Sequence, residues 1–172
     1  VKMREGRVIE DILITNEKGV YGGLKMANGT NPMRSTAGVF PGTRAKSAAM
    51  VRELFVKAQE YKKKVDKAGK DSSKMPERDL GMETLVEVLG GKRVVHFHTH
   101  KANDILTAIR LGKEFGFKPV LHHVSEGWKV ADEIAAAGLM ASIIAIDAPG
   151  GKLEAMNVSL TTGAALEKGG VI

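Results

Sequence analysis

Cysteine is absent from the 172 residues. Disulfides and thiolate-held metals are therefore excluded, and any metal must be bound by imidazole, carboxylate or a modified side chain. Aromatic residues make up only 5% of the chain, too few for the stacking platforms of a single-stranded nucleic-acid binder. No apolar run approaches the ~20 residues that cross a bilayer as a helix. Charge of one sign is concentrated in a single place. Much of the net +6 lies between Lys57 and Lys74, including Tyr61-Lys62-Lys63-Lys64. That stretch reads as a solvated helix end and loop, so neither nucleic acid nor a membrane span is expected. What remains, 43% apolar and 27% charged, suits one globular domain with a real core.

The ends carry expectations of their own. The chain opens at Val1 with no initiator methionine, charged leader or signal-like apolar run. It closes on Lys168-Gly-Gly-Val-Ile172, the pattern of a helix cap leading into a buried strand. Residues 1–172 are thus expected to be one domain cut at both ends, and localisation is left open.

Periodicity gives the elements. Val8 to Thr15 reads as a strand or a short helix. Tyr21 to Ala27 reads as a short strand, followed by the turn-rich Asn28 to Pro32 and a loop over Met33 to Gly42. Ser47 to Lys64 is an amphipathic helix, with Met50, Val51, Leu54, Phe55 and Ala58 recurring at three and four. Met82 to Leu89 is a second helix. Then strand and helix alternate: strand Arg93 to Thr99, helix Asn103 to Phe115 with Asn103 as N-cap, strand Lys118 to Val124, helix Lys129 to Ala137, strand Ala141 to Asp147, a turn to Gly151, helix Thr162 to Lys168, and a strand opening at Val171. This is the rhythm of βα units in a parallel sheet.

All five histidines fall at two adjacent strand ends: His96, His98 and His100, then His122 and His123. In parallel α/β folds the strand ends that precede helices share one edge, where sites gather. Consecutive parallel strands are often neighbours, so the two clusters should meet. Strand alternation places His96, His98 and His100 on one face. It sends His122 and His123 to opposite faces, so only one of these is expected to meet the first cluster. Converging neutral imidazoles make a plausible metal site. The nearby carboxylates are Asp104, Glu126 and Asp147, with Asp104 expected to serve the start of its own helix.

Three segments carry a family resemblance: His98-Thr-His-Lys-Ala-Asn-Asp-Ile105, Leu121-His-His123 and Glu126-Gly-Trp-Lys-Val-Ala-Asp-Glu133. They resemble the amidohydrolase superfamily, in its imidazolonepropionase-like and prolidase-like branch. Gly23 to Ala27, Asn31-Pro32, Thr43-Arg44, Arg52 to Tyr61 and Arg78-Asp79-Leu80 are similar to the same branch. The resemblance implies part of a (β/α)8 TIM barrel, about strands four to seven. It implies one or two divalent metals, most often zinc, with His98 as the fifth-strand ligand and His123 as the sixth. Lys25 is the candidate for the fourth-strand position, where a carboxylated lysine can bridge two metals. Many relatives instead have Glu where this chain has Thr30. The first-strand His-x-His and the eighth-strand Asp have no counterpart here. His100 is expected to contact substrate or orient the site, and His96 and His122 to pack. Glu126, Trp128, Asp147 and Lys152 lie on loops that can read a substrate.

The implied reaction is hydrolysis of a C–N bond in an amide, a peptide or a cyclic amide, by metal-activated water. The alternative reading is a self-contained flavodoxin-like module that holds a ligand or phosphate without catalysis. Two outcomes are expected on the amidohydrolase reading. The 172-residue chain, lacking the remaining ligands and the Asp base, should bind metal poorly and hydrolyse no amide at enzyme-like rates, as zinc-supplemented turnover assays would show. Open sheet edges should drive homo-oligomerisation or similar association, which light scattering checks.

Overall fold

The computed structural model describes residues 22–33, 41–144 and 152–172. The segment from Val8 to Thr15 and the turn at 147–151 lie outside them. Four strands and five helices are present among the described residues: β1 (Gly23–Ala27), α1 (Arg44–Ala68), α2 (Leu80–Leu89), β2 (Val94–Thr99), α3 (Ala102–Phe115), β3 (Val120–His123), α4 (Ala131–Ala136), β4 (Ala141–Ile143) and α5 (Thr162–Lys168). Short 3-10 turns occupy Ser72–Lys74, Gly127–Lys129 and Leu153–Ala155.

The strands form a single parallel sheet in the order β1-β2-β3-β4. His98 pairs with His122 and Thr99 with His123 across β2 and β3, and Leu121 pairs with Ala141 across β3 and β4. The Ala141 amide donates to the Ile172 carbonyl at 2.9 Å, but Val171 and Ile172, expected to open a strand, belong to no strand. Strand order follows chain order without a reversal. A doubly wound sheet binds its ligand at such a reversal, and the described strands contain none. The architecture is α/β, with the order of part of a (β/α)8 barrel.

By its internal contacts the chain divides into two compact units, Val1–Leu24 with Ala49–Val94, and Lys25–Ala48 with Val95–Ile172. In the first, α1 buries Phe55 and Ala58, and α2 buries Val88. Leu54, expected on the apolar stripe, is 45% exposed; it lies just off the narrow line of Phe55 and Ala58. Asp79 caps α2 by accepting from the Met82 amide at 3.0 Å. Arg78 grips Glu83 through two bonds of 2.9 and 2.8 Å.

The second unit holds the regular βα part. Ile105, Ala108, Ile109, Leu111 and Phe115 of α3 are buried, the spacing of an amphipathic helix. Val95 and Phe97 of β2 and Leu121 of β3 are buried as well. The α3 start departs from expectation. The helix begins at Ala102, with Lys101 in the cap position and no side-chain cap of its own. The Asn103 side chain is therefore not the N-cap. Glu126 takes that role from the neighbouring loop, accepting from the Ala102 amide at 3.0 Å, which also sets a negative charge at the positive end of the helix dipole. Gly116, at φ 76°, ends α3 in the left-handed conformation. Gly112 lets the following chain pass close, since a Cβ there would stand 2.7 Å from the Phe117 carbonyl oxygen. Gly112→Ala is expected to cost about 1–3 kcal/mol by overpacking, measured as a lower urea midpoint.

Candidate metal centre

The parallel ladder brings the two histidine clusters to one edge. It continues beyond the strands, with Val124 donating to the Thr99 carbonyl and Glu126 to the His100 carbonyl, both at 2.9 Å. His98 and His100 are buried, and their rings meet edge-on with centroids 4.7 Å apart. His123 completes a triangle of imidazoles, 4.4 Å from His98 and stacked 5.0 Å from His100.

Simple alternation does not allow this arrangement, and His123 does not obey it. Its φ is 77° and that of Val124 is 37°; these are the two non-glycine residues with positive φ among those described. Such values are strained, most of all for a β-branched residue, and cost on the order of 1–3 kcal/mol each. The twist frees His123 from the alternation of β3 and accompanies its contact with His98 and His100. His122, meanwhile, bonds His96 with 2.9 Å between ring nitrogens. The expectation that only one of His122 and His123 meets the first cluster is thus corrected: both do, because the strand leaves extended geometry at its last residue.

A carboxylate arrives from a loop distant in sequence. Glu154, in the 3-10 turn Leu153–Ala155, is 1% exposed. Its Oε1 lies 3.8 Å from His98 Nε2 and 3.9 Å from His100 Nε2, too far for hydrogen bonds. All three atoms are buried without a hydrogen-bond partner, which is costly unless something satisfies them. They lie within 4.8 Å of one another. On its other side the His100 ring is fixed, with Nδ1 2.7 Å from Ser125 Oγ, which leaves Nε2 free to ligate. Two imidazole nitrogens and one carboxylate oxygen are a fitting donor set for a divalent metal of zinc type, with positions left for water or substrate.

Electrostatics agree with that fit. Burial, then the neighbouring His123 and His100 and the ammonium groups of Lys152 and Lys25, bring His98 down to about 4. Burial, then His100 and Lys25, bring His123 to about 4 as well. His100 is lowered mainly by burial. All three are neutral at pH 7, the form that binds metal. Burial alone would raise the Glu154 carboxyl, but its Thr30 hydrogen bonds and the nearby His100 and His98 outweigh this and hold it below the usual range.

The other expected residues sit as follows. Lys25 is exposed on β1, and its charge bears on His98, His122 and His123. Asp104 lies in the first turn of α3, as expected of an acidic residue serving the helix start, and is also buried and paired with Arg44 at 2.9 Å. The Glu126 carboxylate is engaged by Ala102, by Asn157 Nδ2 at 2.5 Å and by Lys129 Nζ at 3.2 Å. Trp128 is 40% exposed and donates to the Asn157 carbonyl at 3.2 Å. Lys152 donates to Asn31 Oδ1 at 3.2 Å. Asp147 lies outside the described residues. Glu154 and Arg44 were not singled out as site residues from the sequence. The available signal for Glu154 was its place in the loop after the β4 strand, at the same edge as the histidines.

A parallel α/β unit with buried imidazoles at the carboxyl ends of its strands has the form of part of a barrel with a site at its strand ends, and comparison with known proteins narrows the class. No protein-family model matches the sequence, and no curated protein matches it. Among solved structures, an amidohydrolase from Thermotoga maritima MSB8 superposes with a TM-score of 0.81 at 34% identity, over 97% of this chain and 43% of that one. The chain is amidohydrolase-like in sequence and fold over nearly its whole length, and it spans less than half the length of that relative. Its sheet and flanking helices correspond to part of an amidohydrolase barrel.

The neutral histidines His98 and His123 set a pH dependence for the metal-free chain. Unfolded histidines take up protons near pH 6.5, whereas folded His98 and His123 resist down to about 4. Stability is therefore full above pH 6.5 and falls as pH drops through the window from about 6.5 to 4. Urea midpoints at pH 7.5, 6 and 5 should decrease in that order, and the decrease should be smaller in His98→Ala.

Proposed function

We propose that the site belongs to a metal-dependent hydrolase of C–N bonds, acting on a small-molecule or peptide-like amide. The observation that supports this most directly is the convergence of His98 Nε2, His100 Nε2 and Glu154 Oε1, all buried and all unpartnered. Similarity to a solved amidohydrolase supports the reaction class. In this reading His98, His100 and Glu154 hold the ion, and His123, its ring against both imidazoles, is the further ligand that the family resemblance implies. Bound zinc would lower the pKa of a water and polarise the substrate carbonyl. The residues of this chain hold that chemistry in place. Ser125 fixes the His100 ring, the buried surroundings keep the imidazoles neutral, and Lys25 and Lys152 supply positive charge at the rim. Lys25, if carboxylated, would instead lose that positive charge and offer an anionic ligand to a second ion. Trp128 and Asp147 are proposed to face the substrate, while Glu126 ties the loop to α3.

Metal content tests the reading. Glu154 adds a donor that the sequence reading lacked, so after incubation with zinc and removal of free metal the chain is expected to retain about one equivalent, and His98→Ala and Glu154→Gln should each retain far less. No retention above an alanine variant of all three residues would overturn it. Turnover assays across N-acyl amino acids, dipeptides and cyclic amides, on a protein that supplies the remaining barrel strands, would then assign the substrate.

A further inference from the structure

Glu154 offers only one of its oxygens to the imidazoles. The other, Oε2, accepts from the Thr30 amide at 2.7 Å and lies 4.0 Å from Arg44 Nη2. Gly29 is pressed against it, since a Cβ at that position would stand 2.3 Å from Oε2 and 3.5 Å from Asp104 Oδ2, and the residue has φ 72°. Both demands select glycine. Arg44 itself bonds Asp104 at 2.9 Å. One guanidinium thus serves two buried carboxylates, which are 3% and 1% exposed and would otherwise repel each other. The position of Arg44 has no explanation in its own helix. It is the first residue of α1, which has no acidic residue in its first turn, and a cation at a helix N-terminus opposes the dipole. Asn28 ties the same loop down, donating from its backbone to the His98 carbonyl at 3.1 Å and from its side chain to the Asp104 carbonyl at 2.8 Å.

We propose that Gly29, the Thr30 amide and Arg44 form a carboxylate cradle that holds Glu154 by Oε2 and presents Oε1 alone to His98 and His100, with Arg44 the positioning residue for that ligand. The cradle deepens the metal reading and rests on it for its purpose, although it can be tested without metal. Zinc titration by calorimetry on the 172-residue chain should show Arg44→Met binding about 10- to 100-fold more weakly, the usual loss when the partner that orients a metal ligand is removed. Arg44→Lys should recover part of that, and Gly29→Ala should weaken binding as Arg44→Met does. In parallel, urea unfolding of the metal-free chain carrying Arg44→Met, Glu154→Gln or both should give a non-additive cycle. An additive cycle overturns the cradle whatever zinc does. Zinc affinity unchanged in a folded Arg44→Met overturns the positioning role and leaves the metal reading intact. A non-additive cycle in a chain that takes up no zinc sustains the cradle and sinks the metal reading instead.

Discussion

The parallel pairing of β2 with β3 is the constraint on which the site depends. It sets His98 beside His122 and Thr99 beside His123, and its extension through Val124 and Glu126 delivers Ser125 to His100. Glu126 then reaches back to the first amide of α3. One ladder therefore fixes the imidazoles, the group that orients one of them, and the start of the helix beneath.

Strain and desolvation gather where the ladder ends. His123 and Val124 adopt positive φ, which non-glycine residues rarely do, and three donor atoms are buried without partners. Neither feature helps the chain fold. Both fall within one cluster of side chains, as expected when a structure gives up stability locally to hold a functional arrangement. The remainder of the second unit is conventional, with an amphipathic α3, buried strand residues and a glycine cap.

The parts of this arrangement that were legible in the sequence are those governed by periodicity. The βα rhythm gave the neighbouring strands, and hence the meeting of the two histidine clusters. What escaped was governed by backbone sign and by distant contacts. A left-handed φ at a histidine leaves no trace in the hydrophobic pattern, so alternation allows only one of His122 and His123 to meet the first cluster, whereas both do. Glu154 looks like any loop glutamate until the chain folds it under Thr30. Arg44 looks like the polar start of a surface helix. Asn103 was a reasonable cap by residue type, but a carboxylate 23 positions further on occupies the place.

Thr30 and Glu154 are 124 positions apart. The imidazoles come from two strands joined by one helix of 14 residues, so they can assemble by local closure. The carboxylate cannot. It reaches them only after the chain on both sides of the histidine strands has closed around them, and such long-range closures come late in folding. An ion bound by all the donors would thus report completion of the sheet rather than its beginning, and a chain stalled before that point would present histidines alone.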